Sequence, residues 1–214
     1  MRYETINWKA IFIFLLIVTF ALFFFFPFYF MVSSSFKHPL DSSVYPPIIF
    51  NFEPTLKNYI TIFKKYPMTT YFFNSFIVAT FATLVSMALA IPAAYGMERL
   101  ISQNRERIAY MFLTMQLIPP ISMVFALFWY ANFFGILGTY WLLVIGYTLW
   151  NVPYGIWLTR GFFTTIPKEL EEAAFVDGAS RLWVLRKIVI PLTKPGIIAA
   201  TIFIFIGAWN EFTL

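Results

Sequence analysis

The chain has no cysteine. Disulfides, thiolate metal sites and cysteine nucleophiles are therefore excluded. Its one histidine, His38, stands beside Pro39 without partners at metal-ligand spacing, so it reads as a surface residue. No glycine is followed by lysine, which rules out a G-x-x-x-x-G-K-[ST] phosphate loop. No G-x-S-x-G elbow and no carboxylate pair inside an apolar run is present, so no hydrolytic constellation is visible. Charge is also scarce, at 12% of residues against about 25% in soluble domains. The net charge of +5 is not spread as a basic stripe, and it does not indicate a nucleic-acid partner.

Apolar runs fill the space that charge leaves. Ala10 to Val32 carries no charged residue, and about 20 apolar residues at about 1.5 Å each suffice to cross a bilayer. The run is about twice a typical signal h-region, and no small-x-small site follows it, so it reads as a retained first span. Further apolar stretches cover 71–96, 108–133, 139–158 and 196–214. Their length, and their richness in Phe, Ile and Leu, favour helices over a barrel of short alternating strands. The expected fold is all-α, a polytopic transmembrane helical bundle with five spans. Leu214 falls about 18 residues into the fifth span, which raises the expectation of a further span.

Eleven of the fifteen Lys and Arg residues sort to one side of these spans. They are Arg2, Lys9, Arg99, Arg105, Arg107, Arg160, Lys168, Arg181, Arg186, Lys187 and Lys194. The positive-inside rule then puts residues 1–9 and the segment 159–195 in the cytoplasm, and the loop 33–70 outside. Within that outer loop, Thr55–Lys65 reads as a short amphipathic helix at the interface. Pro27, Pro92, Pro119–Pro120 and Pro153 interrupt spans. Each is expected to bend its helix, either as ordinary transmembrane proline or to shape a cavity.

The exception to this oiliness is 166–196, a charged amphipathic island between two apolar runs. Pro167 suits a first helical turn, and Glu169, Glu171 and Glu172 lie near the positive helix end. Leu170, Ala173 and Ala174 share one face. Gly178 can end this helix in a left-handed conformation. Ser180 can cap a second helix, from Arg181 to about Ile190, with Leu182, Leu185 and Val189 on one face and Pro191 as its stop. The hairpin could rest on lipid, but that needs bulky apolar residues. Small alanines with an acidic rim favour a protein partner instead.

The spacing of this island is specific. Glu172-Ala173-Ala174, three residues, Gly178, nine residues, then Ile188-Val189-Ile190-Pro191 resembles the EAA loop of ABC importer permeases, with Ile190 in place of Leu. SSFK at 33–36, PP at 46–47, TLKNY at 55–59, NS at 74–75, AAYGMERL at 93–100 and WNEF at 209–212 are similar to the MalG-like carbohydrate type. The resemblance implies the type I ABC importer permease fold, in which six spans are usual, so a sixth is apparently missing here. It implies a multi-pass protein of the cytoplasmic membrane that is itself non-catalytic. Its partners would be a second permease subunit in a heterodimer, two cytoplasmic ATPase subunits, an external solute-binding protein and a carbohydrate substrate. No cofactor would be bound by this chain, since ATP and Mg would sit on the ATPase. The coupling role would fall to Glu171, Glu172, Ala173, Ala174, Asp177, Gly178, Arg181, Ile188 and Pro191.

A substrate path is less sharply marked. Glu211 is the one carboxylate inside a predicted span, about 23 Å along it at about 1.5 Å per residue. A membrane-embedded acid is a functional candidate, although an interfacial position near a helix end fits equally. Trp209 and Asn210 beside it could stack on and hydrogen-bond a sugar. Asn151 in the fourth span is a further candidate. Glycerol phosphate or a polyol is an alternative solute. A self-sufficient channel or secondary transporter would instead require intramembrane charge pairs or coupling-ion ligands.

Overall fold

A computed structural model describes residues 8–101 and 103–211. Arg2, most of the 1–9 segment, Phe212 and Leu214 lie outside the described residues. Among the described residues the regular structure is helical throughout. Besides a single 3-10 turn at Asp41–Ser43, nine helices follow in order among the described residues: α1 (Trp8–Ser35), α2 (Lys57–Lys65), α3 (Met68–Arg99), α4 (Arg105–Met115), α5 (Pro120–Phe133), α6 (Tyr140–Phe163), α7 (Lys168–Val176), α8 (Arg181–Leu192) and α9 (Lys194–Asn210). The chain divides into two compact units, residues 1–71 and 72–214.

In the first unit, α1 is apolar around its whole circumference, with exposed Phe12, Phe23 and Phe25. That pattern belongs to a helix whose solvent is lipid. The 33–70 segment is ordered by its own contacts. The Asn58 side-chain amide donates to the Ser35 and Lys37 carbonyls at 3.1 and 2.7 Å. The buried Lys37 ammonium lies over the Phe30 and Phe52 rings, 4.9 and 5.2 Å from their centroids. The amphipathic helix expected over Thr55–Lys65 is α2. His38 is half-buried at the edge of a hollow that it shares with Asp41, Asn51 and Glu53.

The second unit packs α3, α6 and α9 through small residues. The buried face of α3 includes Ala79, Ala82, Ser86, Ala90 and Ala94, and that of α9 is Gly196, Ala200, Ile204 and Ala208. Such residues at four-residue spacing let backbones approach closely, which is how helices associate without a hydrophobic drive from water. The tightest points are glycines. A Cβ on Gly155 of α6 would lie 3.0 Å from both the Ala90 Cβ and the Ile204 Cδ1, and one on Gly196 would overlap the Phe162 ring at 2.2 Å.

The spans differ from the sequence expectation in two places. By length and hydropathy α1 and α3 qualify alone, whereas the pairs α4–α5 and α8–α9 qualify only together, bent by 82° and 84°. The predicted third span is thus a broken one. Pro119 is extended (φ −62°, ψ 137°) and Pro120 opens α5, because a residue before proline is driven out of helical conformation. The Gln116 side chain at this break donates to the Trp150 carbonyl at 2.9 Å. Helix α6 is about 36 Å long at about 1.5 Å per residue, and it carries Trp, Tyr and Asn residues among its apolar ones. Among the described residues, two helices are long and apolar enough to cross a membrane alone, or up to four if each bent pair is one span. Pro27, Pro92 and Pro153 lie inside uninterrupted helices. Of the flagged prolines only the Pro119–Pro120 pair lies at a helix boundary, where Pro120 opens α5.

Candidate functional site: the α7–α8 hairpin

Helix α7 starts after Pro167 and ends in a Schellman motif. The Gly178 N–H donates to the Phe175 carbonyl at 3.0 Å, and the Ala179 N–H donates to the Ala174 carbonyl at 2.9 Å. This closure needs a left-handed residue, and Gly178 supplies it at φ +83°. Ser180 then caps α8, its Oγ accepting from the Trp183 N–H at 3.3 Å. Helix α8 contains a π-helical segment, Leu185–Val189, and continues through Pro191 to Leu192. Pro191 therefore does not stop the helix as its sequence suggested, because it occupies an early turn of the segment after the π-bulge, where its N–H is dispensable. The widened turn of the π segment brings Val184 and Val189 onto one buried face. Leu182, expected on that face, is exposed instead.

The hairpin's buried side joins a core with Ala90, Ala94 and Tyr95 of α3, Ala109 of α4, and Ile156 and Phe163 of α6. Its open side holds a hollow of about 530 Å³ lined by Ala174, Asp177, Gly178, Ala179, Ser180 and Trp183. Glu172, Ala173 and Asp177 are exposed around this turn. Arg181 is exposed too, its guanidinium 5.8 Å from the Phe175 ring centroid. Ile188 packs inward against the core and Pro191 is exposed farther along α8. The hollow thus gathers Ala174, Asp177 and Gly178 of the predicted coupling residues. Ala179 and Trp183 were not singled out in the sequence. A tryptophan two residues beyond Arg181 was the available signal.

Glu171, which the resemblance grouped with the coupling residues, is 3% exposed and does not line the hollow. The Arg99 Nε donates to its Oε1 at 2.7 Å and the Tyr95 hydroxyl to its Oε2 at 2.9 Å. Successive residues of a helix diverge by about 100°, so Glu171 and Glu172 point to different sides of α7. Arg99 also donates through Nη2 to the Phe163 and Ile166 carbonyls, both at 3.1 Å. Its neighbour Glu98 points elsewhere, accepting from the Arg160 Nε at 2.9 Å and the Arg105 Nη1 at 3.0 Å. Arg160 also pairs with Glu106. Glu98 and Arg160, 4% and 8% exposed, form a buried charge pair that the sequence did not reveal. Sequence counting had set both beyond the ends of their apolar runs.

The substrate-path candidates separate. Trp209 and Glu211 line a hollow of about 120 Å³ with Asn74, Ser75, Tyr140 and Tyr147. Asn210 is exposed and not among its lining residues. Asn151 is buried, its Nδ2 donating to the Tyr147 carbonyl at 2.8 Å in its own helix. Glu211 is not inside a helix as expected: α9 ends at Asn210, and Glu211 follows in extended conformation (φ −71°, ψ 132°). Among the described residues, no group of three His, Asp or Glu side chains could hold a metal ion.

Comparison with known proteins agrees with this architecture. A permease of Agrobacterium fabrum named for sulfoquinovosyl glycerol transport, SmoH, is 33% identical over 88% of this chain and 66% of its own length. The trehalose/maltose transport permease MalG of Thermococcus litoralis is 33% identical over 87% of this chain and 67% of its own. The permease YcjP of Escherichia coli is 33% identical over 87% of this chain and 68% of its own. The chain thus spans about two thirds of these relatives. A solved bacterial ABC transporter involved in alginate import superposes with a TM-score of 0.77 at 22% identity, over 99% of this chain and 75% of that one. Residues 86–214 match the binding-protein-dependent transport system inner membrane component family. On that match and these relatives, the chain belongs to the family of binding-protein-dependent transport system inner membrane components.

Proposed function

We propose that this chain is the membrane-spanning permease subunit of a binding-protein-dependent importer that moves a carbohydrate into the cytoplasm by alternating access. The observation that carries the reading is the α7–α8 hairpin. It has an open hollow at its turn, small residues on its floor and an acidic rim. A side chain from another protein can seat against Ala174 and Gly178, and Glu172 and Asp177 can receive its basic groups. In this reading Glu172, Ala173, Ala174, Asp177, Gly178 and Arg181 form the docking surface for a separate ATPase, which holds the ATP and Mg. Two such ATPase subunits and a second permease, different from this one, complete the assembly. A solute-binding protein delivers substrate from outside. The N-terminus and the hairpin lie on the cytoplasmic side, where the Lys and Arg excess belongs.

The names of the relatives support a sugar. Trp209, Tyr140, Tyr147, Asn74 and Glu211 gather aromatic and polar groups of the kind that contact sugars, in a hollow of about 120 Å³ that is smaller than a typical ligand pocket of about 300–1,000 Å³. Glycerol phosphate or a polyol is the alternative solute. The deciding experiment co-expresses the permease with a candidate ATPase, second permease and solute-binding protein. The ATPase is expected to co-purify, its hydrolysis to rise with sugar-loaded binding protein, and proteoliposomes to import that sugar. A permease that transports without any ATPase would overturn the reading in favour of a channel or secondary transporter.

A further inference from the structure

The docking hollow does not account for the most deeply placed polar contact of the hairpin. Glu171 and Arg99 have side chains only 4% and 7% exposed. Each Glu171 oxygen is occupied by a different donor of α3, Arg99 Nε at 2.7 Å and Tyr95 Oη at 2.9 Å. Two donors on two oxygens fix both the position of the carboxylate and its rotation. The same guanidinium holds the Phe163 carbonyl at the end of α6 and the Ile166 carbonyl in the α6–α7 connection. A cationic group suits the Phe163 carbonyl because it belongs to the negative end of α6. One arginine thus joins α3, α6 and α7.

The apolar contacts of α7 with this core run through Ala174 and Phe175. Apolar surfaces resist separation but allow sliding, because their energy depends on area and not on direction. Charge-assisted hydrogen bonds are directional. A displacement applied to α7 at the hollow therefore reaches α3 and α6 through the Glu171–Arg99 link.

We infer that Arg99 and Glu171 are positioning residues that transmit movement of the docked hairpin to α3 and α6, with Tyr95 holding the second carboxylate oxygen. The inference rests on the importer reading above. It assigns Glu171 to force transmission and leaves docking to Glu172 and its neighbours.

The test uses the assembled transporter in proteoliposomes, with Arg99→Lys, Glu171→Gln and the double variant. Arg99→Lys keeps the charge but loses the fork that serves Glu171 and the two carbonyls together. The expected result is normal ATPase co-purification with Arg99→Lys. Sugar imported per ATP hydrolysed should fall about fivefold or more, the lower end of typical coupling between sites. The double variant should be no worse than the worse single, because both remove one link. Unchanged import per ATP in all three would overturn the inference. So would losses of co-purification that track thermal stability at an unchanged import-to-ATP ratio, which would mean a purely structural pair. Failure of the wild-type chain to bind an ATPase would instead refute the importer reading itself.

Discussion

Gly155 gives the sharpest test of how the bundle packs. A Cβ there would sit 3.0 Å from the Ala90 Cβ and 3.0 Å from the Ile204 Cδ1. Ordinary carbon contacts are about 3.5–4.0 Å. The Ile204 terminal methyl can rotate away, but the Ala90 Cβ moves only with the backbone of α3. Both neighbours are fully buried, so no free space receives the displaced atoms. Gly155→Ala gains about 0.5–1 kcal/mol from removing a glycine inside a helix, and the two short contacts offset it to a net near zero. Gly155→Val adds two more methyls to the same closed space and is expected to cost about 1–3 kcal/mol by overpacking. At roughly 2–4 °C per kcal/mol for a chain of this size, the melting midpoint should fall by about 2–12 °C. Gly161→Ala is the control. It lies on the same helix with nothing within 4 Å of its Cβ position, and should hold or raise the midpoint. The assay is fluorescence-detected size exclusion of the detergent-solubilised protein after heating. A Gly155→Val protein as stable as Gly161→Ala would refute the close approach of α3, α6 and α9.

Other expectations follow from single contacts. Gly178→Val should strain a turn held at φ +83° by about 1–2 kcal/mol and reduce ATPase co-purification, while Gly178→Asn is milder because asparagine tolerates this conformation. Pull-down of the ATPase from equal amounts of folded permease separates the two. Ser180→Ala removes the cap of α8 and should cost about 0.5–2 kcal/mol, read as a lower melting midpoint with transport largely kept. Arg160→Ala leaves the buried Glu98 with only the part-exposed Arg105 and is expected to cost about 3 kcal/mol. Pairing it with Glu98→Gln should recover most of the loss in the same thermal assay. Trp209→Ala and Glu211→Gln should each depress sugar uptake while leaving assembly and basal ATPase intact, and normal uptake in both would remove this hollow from the solute path.

The helix types and the hairpin were readable because they rest on local chemistry. Pro167, Gly178 and Ser180 act on backbone within a few residues, so start, turn and cap followed from their positions. The α2 helix and the end of α7 were legible for the same reason. The break at Pro119–Pro120 was expected only as a bend, because proline denies a hydrogen bond but does not set the angle at which the next helix leaves. The π segment of α8 left no sequence mark, since it arises where Val184 and Val189 must reach one packed face.

Composition and the spacing of a few residues were enough to determine a helical membrane protein with an exposed hairpin and no phosphate loop, because lipid admits few structures and a turn needs particular residues. Which acids face a partner and which face the core was decided by tertiary structure. Glu171 and Glu172 are neighbours with the same charge, yet one is locked beneath Arg99 and Tyr95 while the other is exposed. The difference lies in a 100° turn of the helix and in α3, more than seventy residues earlier, reaching the same place. Long-range pairing of this kind depends on where separate helices cross, and no local pattern encodes it.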